Sequence, residues 1–323
     1  MLNLEVPLLK IRSKIISSIR GVLLRGALAL ISAPRPFAAS KWGRRLGGVA
    51  WSLFRKQRKL SIRHLSHLDP AISSTTRRSL ARSNFLHLGE LLVTGCSLSA
   101  RSGGSPVFDD ADRGIQIENL DEFFKMVMDQ RADGGVVGVS AHLGAWELSG
   151  AAIGSRGYPI LAKRYEDPVE QSLVAGIRDR LGMRLIYQDQ SLMRVIRLLR
   201  DHQMVTLLVD LDIRAMDGIH VPFLGEVAHT TTAPVRMALK TGSSLLPYFL
   251  VKSGKTFRFE WDDPIRVTDP ELPEDENEKI VRLTRRMNES LERAIRRHPE
   301  QWVWMHRRWR STPEVIQARK SRG

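Results

Sequence analysis

The spacing of apolar positions changes along the chain, and each change predicts a different kind of structure. Over residues 8–30, Leu8, Ile11, Ile15, Ile19, Val22, Leu23, Gly26 and Leu30 fall on one helical face. Lys10, Lys14 and Arg25 lie opposite, and Arg12 sits inside the apolar face near the helix end. This pattern predicts a basic amphipathic helix of the kind that lies in a membrane interface. Packing on the protein's own core is the alternative. Pro34 and Pro36 end the helix. Residues 38–68 predict a second helical stretch, strongly basic at Arg55, Lys56, Arg58, Lys59 and Arg63. Its interleaved Trp42, Trp51 and Phe54 suit a lipid headgroup layer. Residues 73–98 predict a helix with Leu80, Phe85, Leu88, Leu91 and Leu92 as apolar positions, and 99–106 a loop.

From Ile115 the pattern alternates. Short apolar runs at 136–141, 159–162, 184–187, 204–209, 245–251 and 256–261 predict strands. Helical spacing predicts helices over 121–130, 146–153, 168–181, 192–201, 233–241 and 276–297. Strands alternating with helices predict an α/β fold with a largely parallel central sheet. The expected organisation is a helical, membrane-binding arm over 1–68 and a catalytic domain over 69–323.

Charge sharpens the boundary. The 323 residues carry a formal net charge of +15. Residues 1–68 hold 14 Lys and Arg against a single acid, Glu5, whereas the remainder holds 36 basic and 34 acidic side chains. A near-neutral body with a basic arm suits an anionic membrane surface or nucleic acid. The body lacks the aromatic and basic signatures of RNA binders, and the charge sits beside an apolar helical face, so no nucleic-acid partner is expected. No stretch reaches the roughly 18–20 apolar residues of a spanning helix, and the longest relevant uncharged run near the N-terminus is 26–34. Basic residues punctuate the whole segment, so a secretory signal is not expected either. One cysteine, Cys96, excludes a disulfide scaffold and any multi-cysteine metal centre.

The sharpest chemical feature is V-V-G-V-S-A-H-L-G-A-W-E over 136–147. A buried strand delivers His142 at its carboxyl end, where α/β sheets bind ligands. A neutral imidazole there can act as a general base near neutral pH. Glu147, on the first turn of the next helix, is placed to bond the other ring nitrogen. Taken alone, a His and a Glu five apart are more often structural. No second histidine stands at zinc-helix spacing, and no G-x-S-x-G, P-loop or G-x-G-x-x-G motif is present, so neither a metal nor a nucleotide cofactor is expected.

H-L-G-A-W-E resembles the H-x-x-x-x-[D/E] motif of the lysophospholipid acyltransferases, and its Gly and Trp resemble those of the bacterial lipid A biosynthesis (lauroyl/myristoyl) acyltransferases. Four further blocks stand in that family's order: K-R-Y-E-D-P at 163–168, D-L-D at 210–212, V-P-F-L-G at 221–225 followed by T-T-T at 230–232, and P-E-Q-W-V-W-M-H-R-R-W at 299–309. The resemblance spans about 136–310. It departs in Leu224, where a second Phe is common, and in an N-terminal segment more basic than the family's apolar anchor.

The resemblance implies a glycerolipid-acyltransferase-like fold and a membrane-surface O-acyltransferase at the cytoplasmic face of the inner membrane. The donor would be acyl-carrier protein or acyl-CoA, and the acceptor a hydroxyl of a lipid A precursor or related glycolipid. Other acceptors, such as a phosphatidylinositol mannoside or a lysophospholipid, fit the same motifs. A catalytically dead lipid-binding relative and a basic nucleic-acid-binding protein are the non-enzyme alternatives. His142 would be the base, Glu147 its orienter, and Arg164 or backbone N–H groups near the helix start the oxyanion donor, unless Arg164 pairs with Glu166 or Asp167 at the surface. Trp146, Asp210, Asp212, His306, Arg307 and Arg308 complete the expected substrate-binding set. For Asp210 and Asp212 the alternative is to hold neighbouring loops or arginines. For the 306–308 run it is to anchor the C-terminal helix.

Overall fold

In the computed structural model the described residues are 24–33, 36–102, 108, 115–190, 192–213 and 218–320. Most of the expected amphipathic helix over 8–30, namely residues 8–23, lies outside them. Residues 24–32 are helical, with Leu30 77% exposed.

Five parallel strands and one antiparallel edge strand form the central sheet: β1 (Val136–Ser140), β2 (Pro159–Ala162), β3 (Arg184–Tyr187), β4 (Met204–Leu208), β7 (Ser244–Ser253) and β8 (Thr256–Trp261). Their order is β3-β2-β4-β1-β7-β8, with only β8 antiparallel. β1 therefore lies inside the sheet between β4 and β7, and all five of its residues are buried, as a strand covered on both faces must be. One covering layer includes α4 (Leu120–Asp133) and α5 (Trp146–Ser155); Phe123, Leu148 and Ala152 pack there with Tyr248 and Phe259. On the other side, α7 (Leu192–Arg200), α8 (Ala233–Thr241) and α9 (Glu276–Arg297) bury Ile196, Val235, Leu283 and Leu291 against Val137, Val139 and Phe249. α9 shows how this follows from sequence. Its apolar positions recur every three or four residues and face inward, and Asp275 caps its first turn by accepting from the Glu278 N–H at 2.9 Å.

The strands and helices expected from 115 onward are all present, with ends moved by a few residues. One element was not expected. β5 (Gly218–Phe223) and β6 (Glu226–Thr231) form a separate antiparallel hairpin around the V-P-F-L-G and T-T-T blocks.

The segment over 36–68 differs from the expected arm. It forms two helices, α1 (Pro36–Leu53) and α2 (Arg55–His64), which break at Phe54. α1 lies against α3 (Ser74–Ser99) at backbone contact distance. A Cβ on Gly47 would stand 2.2 Å from the Phe85 carbonyl oxygen, and one on Gly89 would stand 2.3 Å from that of Gly43. Trp51, Leu65 and Leu68 are buried in the same core as Trp302 and Phe249. Trp51 meets Phe85 edge-on and lies beneath Arg58 and Arg78, so it does not face a headgroup layer. Trp42 and Phe54 do remain exposed. A boundary after residue 68 thus cuts through one packed core. Charge concealed this, because a few large apolar residues suffice to seat a helix that is otherwise basic.

No helix among the described residues is long and apolar enough to cross a membrane.

Candidate active site

Strand register builds the centre of the site. β1 and β4 are parallel neighbours, with Ser140 opposite Leu208. His142 and Asp210 each stand two residues beyond that last pair, so a 68-residue separation closes to a hydrogen bond. Asp210 Oδ1 lies 2.8 Å from His142 Nδ1, and Oδ2 accepts the His142 backbone N–H at 2.9 Å. With a carboxylate acceptor the imidazole proton sits on Nδ1, which leaves the Nε2 lone pair free. Trp302 Nε1 donates to Asp210 Oδ2 at 2.8 Å. Asp210 is fully buried. Burial alone would raise its carboxyl pKa; the His142 ring and the hydrogen bonds outweigh that and hold it well below the ordinary carboxylate range.

The closing segment, residues 299–311, secures this corner. The Val303 N–H donates to the His142 carbonyl, and Gly144 N–H to the Gln301 carbonyl, each at 3.1 Å. Gly144 has φ +60°, and a Cβ there would stand 2.2 Å from the Leu250 carbonyl oxygen, so the turn after His142 needs glycine. Asn84, buried on α3, donates to the Trp302 carbonyl at 2.6 Å, and His64 Nδ1 to the Trp304 carbonyl at 2.9 Å. His306 stands edge-on to His142, with ring centroids 4.8 Å apart. Burial, with the His142 ring adding to it, lowers the His306 pKa to about 4, so it is neutral near pH 7.

His142 opens onto a cavity of about 640 Å³ between β2, β4 and α5. Its wall is apolar at Ile160, Leu161, Met183 and Leu185 and polar at Glu147, Arg164 and Arg178. Trp146 lines it as well, with its ring centroid 5.5 Å from that of His142. Glu147 does not serve His142. Its carboxylate takes a two-pronged hydrogen bond from Arg178, at 3.0 Å from Nε and 2.6 Å from Nη2. Arg178 belongs to α6 (Pro168–Arg180). Burial opposes the charge on Arg178, but Glu147 prevails and raises its pKa above the ordinary value. Thus the carboxylate bonded to the His142 ring is that of Asp210, and in place of the expected His142–Glu147 bond Glu147 pairs with Arg178. Helix α5 carries Glu147 toward α6, whereas the sheet carries Asp210 to His142.

Arg164 reaches the cavity rim, where it pairs with Asp189 at 2.7 Å and lies over the Tyr187 ring. Asp212 and Arg308, expected at substrate, are bonded to protein instead. Asp212 accepts from the Ser311 N–H and hydroxyl and from Arg310. Arg308 is fully buried, donating to the His229 carbonyl and the Thr230 hydroxyl, each at 2.6 Å; burial pushes its pKa down to about 10. It ties the β5–β6 hairpin to the closing segment. Arg307 is exposed.

His142, Asp210 and His306 also bring three potential metal-ligand atoms within 4.8 Å of one another. Asp210 accepts three N–H bonds there, from the His142 backbone and ring and from Trp302.

The sequence of this chain matches the family described as bacterial lipid A biosynthesis acyltransferase over residues 12–311. The chain belongs to this family. Among similar curated proteins is the lipid A biosynthesis palmitoleoyltransferase of Escherichia coli (strain K12), 25% identical over 280 residues, which cover 84% of each chain. Another is the lipid A biosynthesis lauroyltransferase of the same strain, 25% identical over 282 residues, covering 85% of this chain and 86% of the relative. A lipid A biosynthesis acyltransferase of Shigella flexneri is similar to the same degree as the first. In this acyltransferase the motif blocks converge: 136–147, 163–168 and 210–212 meet around the cavity mouth, and 299–309 binds them from behind.

Sequence reasoning missed Arg178 and misassigned Asp210. For Asp210 the sequence offered an acid two residues past a predicted strand, as His142 is past its own, but not which strands pair. Arg178 offered less, since its link to Glu147 depends on how two helices meet.

Proposed function

We propose that this acyltransferase moves a fatty acyl group from a thioester of acyl-carrier protein or coenzyme A to a hydroxyl of a lipid A precursor. The observation that carries this reading is His142 on the cavity wall, with Nδ1 tied to buried Asp210 and Nε2 free. His142 Nε2 takes the acceptor hydroxyl proton as the oxygen attacks the thioester carbonyl carbon. The tetrahedral intermediate collapses, the C–S bond breaks, and the proton passes from His142 to the departing thiolate. Asp210 stabilises the imidazolium between these steps. No resident cofactor takes part in these steps. The apolar wall at Ile160, Leu161 and Leu185 accommodates the acyl chain.

The developing oxyanion needs donors. The Gly144 and Ala145 N–H groups are spent on the Gln301 and Leu250 carbonyls. That leaves Arg164 and the first-turn N–H groups of α5. Arg164 would have to exchange Asp189 for the substrate.

The working place we propose is the cytoplasmic face of the inner membrane. Supporting this, Leu30, Trp42, Val49, Leu53 and Phe54 are exposed apolar side chains near Lys41, Arg44, Arg45, Arg55 and Lys56 in the chain.

The test is incubation of purified protein with acyl thioester and lipid A precursor, followed by mass spectrometry of the lipid. A mass gain of one acyl group that needs His142 is expected. Transfer by a folded His142→Ala protein at the wild-type rate would sink the mechanism. Failure on this acceptor with transfer to a lysophospholipid would move the substrate assignment.

A further inference from the structure

A second concavity of about 470 Å³ lies between α2 and the closing segment. Lys56, Lys59 and Arg63 line one wall, and Arg307 and Arg310 the other. The three on α2 are spaced i, i+3, i+7, which places them along one helix face. No acidic side chain lines the groove. Among the described residues, Lys56, Lys59, Arg63 and Arg307 have no carboxylate partner, whereas Arg310 pairs with Asp212. Trp309 lies on the same groove, its ring packed against His64 and His67 at centroid distances of 4.9 and 4.3 Å.

Such a grouping is costly for a folded protein. Like charges along one helix face repel, and salt bridges would ordinarily dilute them. Here the fold gathers cations from two segments, nearly 250 residues apart in sequence, around a tryptophan. A doubly charged anion offsets that repulsion, and Lys and Arg together supply the donors that phosphate oxygens accept.

Two features favour a lipid headgroup over a protein surface. Arg307 follows His306, whose ring abuts His142, so one wall of the groove belongs to the segment that contacts the reacting histidine. At the other end, Lys56 follows the exposed Leu53 and Phe54 of the apolar edge. A molecule anchored by its tails at that edge presents its headgroup to the groove.

We infer that the groove between α2 and the closing segment is a phosphate subsite for the acceptor headgroup, separate from the acyl cavity. This rests on the acyl-transfer reading for its substrate, but the subsite is also measurable without turnover. The phosphate anchors one part of the headgroup at Lys59, Arg63 and Arg307, and the hydroxyl to be acylated reaches His142.

The experiment has two arms, on full-length wild-type protein, a Lys59→Ala/Arg63→Ala double variant and Arg307→Gln, each checked for fold by circular dichroism. In the kinetic arm, acceptor KM is measured for a phosphorylated acceptor and for the same acceptor after phosphatase treatment. The double variant is expected to raise KM for the phosphorylated acceptor at least tenfold and that for the dephosphorylated one less than twofold. Arg307→Lys is expected to recover part of what Arg307→Gln loses. In the binding arm, flotation compares phosphatidylcholine vesicles carrying phosphatidic acid with vesicles carrying phosphatidylglycerol at matched surface charge. Wild type is expected to prefer the phosphomonoester, and the double variant to lose that preference. A rise in donor KM instead would assign the groove to a carrier protein and overturn the proposal. Equal losses on both acceptors, or on both kinds of vesicle, would reduce it to general surface charge and overturn it too. If wild type transfers no acyl group, the acyl-transfer reading fails, while the vesicle comparison still decides the subsite.

Discussion

Two hydrogen-bonded pairs stand at one cavity, and they are built differently. His142–Asp210 joins the ends of two adjacent parallel strands, with the carboxylate fully buried and each oxygen hydrogen-bonded. Glu147–Arg178 joins two helices, and the glutamate side chain is 36% exposed. In the first, backbone register sets the geometry, and the ring can move only if the sheet or the closing segment moves. In the second, two longer side chains meet across a gap that helix packing sets more loosely. Proton transfer needs reach and alignment within a few tenths of an ångström, which suits the first pair. Shaping and charging a cavity wall tolerates the second.

The largest way to break this contrast is at the base itself. His142→Ala is expected to lower kcat by about 10²–10⁴-fold, with far-UV circular dichroism unaltered. Asp210→Asn should come next, with a loss on the order of 10²-fold. Because Asp210 acts through the ring, the loss should fall on kcat, with donor and acceptor KM little changed. If Asp210→Asn retained the wild-type kcat, the strand-end pair would lose its assigned role.

The helix-borne pair should give less. Glu147→Gln and Arg178→Gln are each expected to cost roughly tenfold in kcat/KM, and the double substitution little more than either alone, because each removes the same pair. A Glu147→Gln loss as large as that of His142→Ala would reverse the ranking of the two corners.

The comparison also shows what was legible in the sequence. The α/β alternation, the strand ending at His142 and the motif blocks themselves could be read from the chain, because each depends on local periodicity or on short spacing. The partner of His142 could not. Glu147 was near in sequence and Asp210 was near in space, and choosing between them required knowing that β4 pairs with β1. The same gap explains Trp51 and Arg308. Their chemistry suggested lipid and phosphate, but burial decides such roles, and burial depends on contacts with α3 and with the β5–β6 hairpin. Arg178 and the basic groove needed two distant segments brought together.

The smallest expected effect sharpens the contrast through stability. His306 belongs to the strand-end corner, and its burial beside His142 lowers its pKa to about 4 from an ordinary value near 6.5. Above pH 6.5 it is neutral in both the folded and unfolded chains and contributes no pH dependence. As pH falls below 6.5 the unfolded chain takes up a proton that the folded chain refuses until about pH 4. Stability must therefore fall across that window, by up to about 1.4 kcal/mol per pH unit for each such histidine. His64 and His87, buried on α2 and α3, are lowered to about 4 for the same reason and add to the slope. His306→Gln should thus flatten the decline in urea midpoint between pH 6.5 and 4.5 without abolishing it. A substitution at the helix-borne pair, such as Glu147→Gln, should leave the contribution of these three histidines as it is. An unchanged slope in His306→Gln would mean that the ring accepts its proton in the folded state, and that the corner around His142 is more open to water than its packing implies.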